Sequence, residues 1–159
     1  MDVADVLIYW RDYEANESKD SASRHAHVWH SSAKCIAELQ PGDQMWMITS
    51  GKALRHETEQ AAFLVGIWVV REVIDNPNDD PAYPDEQYRK RVIADPSGSV
   101  MLHEPVAVDH ILRPEGRDRA ASIGRFLQGP RKLTDEMKRL LRTAAGGELA
   151  AAWLGSKSR

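Results

Sequence analysis

The stretch AAFLVGIWVVREVI, residues 61–74, decides the fold because it is a nearly unbroken run of β-branched and aromatic residues. Such a run predicts a strand that is buried on both faces or that wraps around a barrel. Gly66 in its middle predicts a bend or bulge, at which a sheet can close on itself. We therefore expect the domain to be a sheet built around this strand.

Shorter apolar segments on both sides of this strand predict its neighbours in the sheet. They are VLIYW (6–10), QMWMITS (44–50), QYRKRVIAD (87–95) and SVMLHE (99–104). The Pro-rich segment DNPNDDPAYPDE must be a connection, because proline lacks the backbone donor that a sheet needs. Residues 11–27 are polar, follow neither the helical nor the strand period, and predict a long loop.

Two helices complete the predicted fold. The first follows VWHSS, with Ser31 or Ser32 as its N-cap, and the second begins after Thr134 and ends at the glycine pair 146–147. The apolar stripe that we expect to pack on the sheet consists of Met137, Leu140, Leu141 and Ala144. These elements predict an α+β fold, a small β-barrel of about five to six strands with flanking helices. The domain is expected to span residues 1–145, followed by a C-terminal tail at 146–159.

Length and composition exclude several classes of protein. A chain of 159 residues suits one domain with a single core. No apolar run reaches the roughly 18 residues that a membrane span needs, and the first residues are acidic where a secretory signal is basic. The single Cys35 excludes an internal disulfide and agrees with a reducing compartment. We therefore expect a cytoplasmic protein without a membrane partner.

The charged residues are unevenly distributed along the chain. The net charge is −3, yet residues 113–142 hold nine Arg or Lys against four acids, a net charge of +5. The cations expected to contact a nucleic-acid backbone are Arg113, Arg117, Arg119, Arg125, Arg131 and Lys132. The alternative is that these are ordinary solvated side chains, or that some of them pair with acids of the first half of the chain.

Several short motifs, in their order along the chain, resemble the EVE domain of the PUA-like superfamily. They are YW at the end of the first strand, LQPGDQMWMITS, GIWVVREVIDNPNDDPAYPDEQYRKRVIAD and IGRFLQGPRKLTDEM. The resemblance runs from about residue 6 to about residue 142. It implies a PUA-like barrel. The sequence departs from the EVE pattern in the insertion at residues 11–27, and it has Arg11, Asp12 and Tyr13 where the family has Lys-x-Glu-Pro.

The segment VWHSSAKCIAEL is also similar to the related YTH domain, in which a Trp before a helix forms one wall of an aromatic cage for a methylated adenine. This resemblance implies that Trp29 is a pocket wall. EVE, YTH, SRA and ASCH domains recognise bases, so the implied partner is DNA or RNA that carries a modified nucleobase. The implied role is that of a non-catalytic binding module.

The residue types agree with such a pocket, because a nucleobase is flat and needs aromatic faces and a few polar groups. Trp68 lies in the central apolar run and is expected in the core, whereas Trp46 is expected either in the core or at the pocket floor. The ligand-binding residues that we predict are Trp10, Arg11, Trp29, His30, Ser31, Ser32, Trp46 and Ser50. Neither a cofactor nor a metal is expected, since the spacing of His25, His27 and His30 matches no usual zinc pattern.

Two other functions stay open at this point. ASCH-like relatives include amidohydrolases that act on acylated cytidine through a Thr, a Lys and a Glu, and TSGKALRHE places Thr49, Lys52 and Glu57 close together. In that alternative, Lys52 would activate the Thr49 hydroxyl and Glu57 would handle the proton of the leaving amine of an acylated nucleoside. The other alternative is a protein-interaction module that uses Trp153 as an anchor.

Overall fold

The computed structural model describes residues 3–11, 13, 28–114, 123–127 and 129–157, the last eight of these by their backbone alone. The strands are β1 (Asp5–Tyr9), β2 (Val28–Ser31), β3 (Gln44–Ser50), β4 (Ala62–Asp75), β5 (Lys90–Ala94), β6 (Val100–Ala107) and β7 (Arg131–Lys132). The helices are α1 (Lys34–Ala37), α2 (Asp109–Leu112), α3 (Ile123–Leu127) and α4 (Asp135–Lys157). The α+β class predicted from the sequence is confirmed.

The strands within these ranges form one mixed sheet of seven strands in the order β2-β5-β4-β3-β1-β7, with β6 also paired to β4. The pair β1 and β3 is parallel, and every other pair is antiparallel. Among the described strands the sheet is open, so the hydrogen bonds do not close the expected barrel of five to six strands.

The long strand β4 organises the sheet, as its apolar run predicts. Its first half pairs with β3 and β6 and its second half pairs with β5. The register of β4 against both β3 and β6 shifts between Leu64 and Gly66, which confirms the irregularity predicted at this glycine. A Cβ atom on Gly66 would lie 2.8 Å from the backbone carbonyl oxygen of Val100, so glycine allows β6 to approach this closely.

The sheet separates two hydrophobic cores, one on each face. The helix-side core, covered by α2, α3 and α4, contains Leu7, Trp46, Ile48, Ala62, Leu64, Ile67, Leu102, Val108, Ile111, Leu112, Ile123, Leu127, Leu141 and Ala145. The aromatic-side core contains Val6, Ile8, Trp10, Tyr13, Ile36, Leu39, Met45, Met47, Val65, Trp68, Val70, Val92 and Ala94. Successive residues of a strand point to opposite faces, which explains why β1 and β3 each contribute to both cores.

The helices differ from the sequence prediction in two ways. Ser31 lies in β2, and the N-cap of α1 is Ala33, whose side chain makes no capping hydrogen bond, so neither serine is the N-cap. Helix α4 continues through the glycines at 146–147 to Lys157, past the end predicted for it. Tertiary contacts hold this extension, because Ala145 is buried and a Glu148 carboxylate oxygen accepts a hydrogen bond from the backbone N–H of Glu104 at 3.3 Å.

Among the described residues, no helix combines the length and the apolar composition needed to cross a bilayer.

Candidate ligand-binding site at the aromatic cluster

Four aromatic rings meet at one end of the aromatic-side core, and Trp10 stands at their centre. Its ring centroid lies 5.1 Å from that of Tyr13, 5.4 Å from that of Trp68 and 6.2 Å from that of Trp29. All three contacts are edge-to-face, with interplanar angles of 90°, 72° and 84°. This is the geometry that the quadrupoles of aromatic rings favour. We call these four residues the aromatic cluster.

Backbone hydrogen bonds fix Trp10 where β1 ends. The backbone N–H of Trp10 donates to the Ile48 carbonyl at 2.7 Å, and the Trp10 carbonyl accepts a hydrogen bond from the Thr49 hydroxyl at 2.9 Å. Trp29 comes from β2, where it pairs with Val92 of β5. The cluster therefore combines residues from parts of the sheet that are four positions apart in the strand order.

The four rings differ in their exposure to solvent. Trp10, Tyr13 and Trp68 are buried, whereas Trp29 is only partly buried and packs against the edge of the aromatic-side core. Trp29 thus leaves part of its surface accessible. Because the other three rings are covered, Trp29 is the ring of the cluster through which a flat ligand can approach.

One polar atom of the cluster lacks a partner. The Trp10 Nε1 atom is buried and forms no hydrogen bond with any residue that the structure describes. The indole N–H groups of two other tryptophans are paired, that of Trp46 with Asp5 Oδ1 at 2.9 Å and that of Trp68 with Met101 Sδ at 3.3 Å. A buried donor without an acceptor costs about 1–3 kcal/mol, so an acceptor presented by a ligand would restore that free energy.

Trp46 does not join the aromatic cluster. It is fully buried in the helix-side core, on the opposite face of the sheet, and the Arg142 guanidinium lies 5.6 Å from its ring centroid. The register explains this position, because Trp46 pairs with Leu7 of β1 and the two side chains share a face that Trp10 does not. The sequence left open whether Trp46 lies in the core or at the pocket floor, and in the structure it lies in the core.

His30 is buried and points away from Trp29, its neighbour in β2. Its Nε2 atom accepts a hydrogen bond from Arg91 Nε at 2.9 Å, and its ring stacks on Tyr83 with centroids 4.4 Å apart and an interplanar angle of 12°. His30 is therefore engaged in the fold and does not line the cluster with Trp29.

The predicted serines mainly form hydrogen bonds with backbone groups. Ser31 Oγ accepts from the Ala33 N–H at 3.1 Å, and the buried Ser50 Oγ accepts from the Ala53 N–H at 3.2 Å. The exposed Ser32 donates to the Gln87 carbonyl at 2.7 Å and accepts from the Arg89 N–H at 2.9 Å. Arg11, by contrast, follows Trp10 directly and is exposed.

The residues of the hydrolase alternative differ in their exposure to solvent. The Thr49 hydroxyl is fully buried and donates to the Trp10 carbonyl, while Lys52 and Glu57 are exposed in the turn after β3. Within the described residues, no hydrogen bond links Thr49 to either Lys52 or Glu57.

The predicted basic residues divide between the two faces of the sheet and the interior. Arg113 is buried, pairs with the Asp109 carboxylate and donates to the Gln60 carbonyl at 3.0 Å, which places it in the core and not on a basic rim. Arg131 donates to the carbonyls of Leu127 at 3.1 Å and Phe126 at 2.7 Å.

The remaining members of that set are exposed or lie elsewhere. Lys132 is exposed, sits opposite Val6 and therefore on the face of the aromatic-side core, and its Nζ atom lies 3.7 Å from Glu38 Oε2. Arg125 is exposed on α3. Arg117 and Arg119 lie outside the described residues. Only Lys132 of this set is thus seen on the side of the sheet that carries the aromatic cluster.

Trp68 lies in the core, as predicted, but its membership of the cluster was not predicted. Tyr13 was named only as a departure from the EVE pattern. The signal that identifies Trp68 is its cross-strand pairing with Met45 of β3, because Met45 and Trp10 share the aromatic-side core. That register is not readable from one sequence alone.

The part of the chain that the structure describes contains no group of three His, Cys, Asp or Glu side chains arranged to hold a metal ion. His25 and His27 lie outside that part, and so does the side chain of Trp153.

A separate groove of about 620 Å³ lies on the other face of the molecule, between α2 and α4. Its lining is mainly apolar and consists of His110, Ile111, Pro114, Thr134, Glu136, Met137, Leu140, Thr143 and Ala144. The apolar stripe predicted on the last helix thus faces this groove as well as the sheet.

The chain matches no family model, and no curated protein is significantly similar to it in sequence. Several solved structures are similar to it. One is the NMR structure of Rpa0253 from Rhodopseudomonas palustris, with a TM-score of 0.49, 18% identity, and coverage of 91% of this chain and 94% of that chain. Another is the structure of a hypothetical protein from Leishmania major, with a TM-score of 0.48, 13% identity, and coverage of 92% of this chain and 97% of that chain.

Proposed function

We propose that this protein is a non-catalytic module that binds a modified nucleobase, carried by DNA or RNA, at the aromatic cluster. The single observation that carries the proposal is the buried indole N–H of Trp10, unpaired among the described residues, in a cluster whose outer wall, Trp29, is partly exposed. A nucleobase supplies what is missing there, since each base has carbonyl or ring-nitrogen acceptors at its edge and a flat face for stacking.

The energies of these contacts are sufficient for selective binding. Stacking on an aromatic side chain contributes about 1–3 kcal/mol per base, and an acceptor for the Trp10 N–H removes the cost of a buried unpaired donor. A methyl group on the base adds about 1 kcal/mol when it is buried against apolar surface. The aromatic-side core provides such surface beside the cluster.

The finer fold that we propose is the PUA-like barrel of the EVE domain. The order of the EVE-like motifs along the chain supports it, and so does the curvature of the sheet. Three strands separate β2 from β1, which in a flat sheet would place these strands about 19 Å apart at about 4.8 Å per strand. The rings of Trp10 and Trp29 are nevertheless 6.2 Å apart, so the sheet curls strongly towards this face.

The cations that we propose for the sugar-phosphate backbone are those on the side of the cluster. Arg11 is exposed next to Trp10, and Lys132 is exposed on the same face of the sheet. Lys52 is exposed in the turn after β3, whose neighbouring residue Ala53 packs on the aromatic-side core. These three replace the predicted rim around Arg113, which is buried.

A titration with free nucleosides tests the proposal. Calorimetry of the protein with methylated, hydroxymethylated and unmodified nucleosides should give measurable affinity for at least one modified nucleoside. Trp29→Ala should weaken that affinity by about tenfold or more, because the stacking wall is lost. Phe126→Ala is a suitable control, since this ring packs against the helix-side core, on the opposite face of the sheet. Equal affinity of wild type and Trp29→Ala would overturn the proposed site.

A further inference from the structure

A buried arginine fixes the protonation state of His30. Arg91 Nε donates to His30 Nε2 at 2.9 Å, and both side chains are buried. The guanidinium of arginine is always protonated in proteins and can only donate. His30 must therefore be neutral, with an unprotonated Nε2 atom that accepts this hydrogen bond.

Other groups packed around His30 set its charge environment. Arg91 lies in β5 and also pairs with the Asp79 carboxylate. Tyr83 lies in the connection between β4 and β5, and its ring stacks on the His30 ring. The next ion pair along β5 joins Lys90 to Asp75 of β4. Tyr88 contacts Tyr83 edge-on with centroids 5.2 Å apart. The Asp79 carboxylate partly neutralises Arg91, yet among the described residues Arg91 is the cation that contacts the histidine directly.

The connection that holds Tyr83 is itself anchored. The Asn76 side-chain amide donates to the carbonyls of Tyr83 at 2.9 Å and Tyr88 at 2.7 Å. Its Oδ1 atom accepts from the Asn78 N–H at 3.0 Å. The acidic, Pro-rich segment is thus a fixed surface against which the His30 ring packs.

His30 is coupled to Trp29 through a short edge strand. β2 has four residues and, among the described strands, pairs only with β5. Within β2, Trp29 faces the aromatic cluster while the adjacent His30 faces Arg91 and Tyr83. A short edge strand with one partner depends on its side-chain contacts, so a change at His30 is transmitted directly to the wall residue Trp29.

We propose that His30 is a positioning residue that holds Trp29 in place while it is neutral, and that ligand binding weakens when His30 takes up a proton. This inference rests on the proposed function of the cluster. Proton uptake at Nε2 removes the acceptor of the Arg91 hydrogen bond and places two cations in contact. Binding is therefore strongest while His30 is neutral and weakens at a pH low enough to protonate it.

Affinity for the modified nucleoside, measured from about pH 7.5 down to the lowest pH at which the protein stays folded, tests the coupling. Wild type should lose about tenfold or more of its affinity as His30 is protonated, as expected when a stacking wall is displaced. His30→Gln keeps an acceptor for Arg91 but has no titratable group, so its affinity should be nearly independent of pH. His103→Gln, which removes an exposed histidine of β6, should follow wild type. Equal pH dependence in wild type and His30→Gln would overturn the proposal.

Asp79→Asn provides a second test if His30→Gln does not fold. Loss of the Asp79 charge makes protonation of His30 less favourable, so the midpoint of the pH profile should move to lower pH. A merely structural role of this pair would leave the midpoint where it is in wild type.

A measurement without ligand separates this inference from the proposed function. In ¹H–¹⁵N spectra, the Trp29 signals should shift with the same midpoint as the His30 ring. If they do so while no nucleoside binds at any pH, the positioning role stands and the proposed function fails. If nucleosides bind but the Trp29 signals do not follow His30, the positioning role fails and the proposed function stands.

Discussion

Trp10 and Trp29 contact each other edge to face, with ring centroids 6.2 Å apart, although three strands lie between β1 and β2 in the sheet. The Trp10 ring is buried, and its N–H has no partner among the described residues. Solvent partly reaches the Trp29 ring. Backbone hydrogen bonds of the sheet hold both residues.

Replacing either of two buried tryptophans by phenylalanine should have different effects on stability. Trp46→Phe removes the hydrogen bond to Asp5 at 2.9 Å and should lower the free energy of unfolding by about 1–3 kcal/mol beyond the cost of the smaller ring. Trp10→Phe loses no hydrogen bond to a described residue and should cost less. Urea unfolding of the two variants checks this. A larger loss for Trp10→Phe would mean that its N–H already has a partner in the free protein.

The buried Asp5 carboxylate should depend on Lys138. Lys138 Nζ lies 3.0 Å from Asp5 Oδ2, and the Asp5 side chain is only 4% exposed. Lys138→Met leaves this carboxylate without its cation and should lower the free energy of unfolding by about 1–3 kcal/mol. The control Arg139→Met breaks an exposed pair with Glu136 and should change stability by no more than about 0.5 kcal/mol. Similar unfolding curves for the two variants would contradict this assignment.

Two glycines should respond oppositely to alanine. A Cβ atom on Gly51 would lie 1.9 Å from the Thr58 carbonyl oxygen, so Gly51→Ala must displace the turn after β3 and should destabilise the protein. Gly146 lies within α4 with open space around it, and Gly146→Ala should stabilise the helix by about 0.5–1 kcal/mol. Thermal unfolding of both variants decides the point. A gain in stability for Gly51→Ala would show that the turn is loosely held.

Cys35 should react slowly. Burial raises the pKa of the Cys35 thiol, an effect that the nearby Lys132 opposes only in part, and the thiol donates to the Pro130 carbonyl at 3.7 Å. Little thiolate therefore exists at neutral pH, and the rate of alkylation should keep rising as the pH increases through the ordinary thiol range. Mass spectrometry after iodoacetamide treatment, in native buffer and in urea, measures this. Equal rates in the two conditions would contradict the burial of the thiol.

The central strand and its irregularity were predictable, because a buried strand leaves a continuous apolar run and Gly66 interrupts it. Strand β2 was not predictable, because its four residues VWHS are too few to show a clear alternation and two of them are polar. Its existence depends on pairing with β5, which is distant in sequence. The same holds for the end of α4, where burial of Ala145 outweighs the low helix propensity of the glycines that follow.

The candidate site could be predicted in part. The positions of Trp10 and Trp29, one at a strand end and the other outside the apolar runs, indicated pocket residues, and the structure brings them together. Trp46 could not be separated from them, because the face on which it lies is set by the parallel register of β1 and β3. The basic rim was inferred from local charge, which does not reveal that Arg113 is buried against Asp109.

The most direct test of the central claim is the indole N–H signal of Trp10 in ¹H–¹⁵N spectra, assigned by its absence in Trp10→Phe. On saturation with a bound modified nucleoside, this signal should move downfield and exchange more slowly with solvent, because the N–H gains an acceptor. The Trp46 indole N–H already donates to Asp5 on the other face of the sheet, so its signal should not shift. A bound nucleoside that leaves the Trp10 signal unchanged would contradict the account.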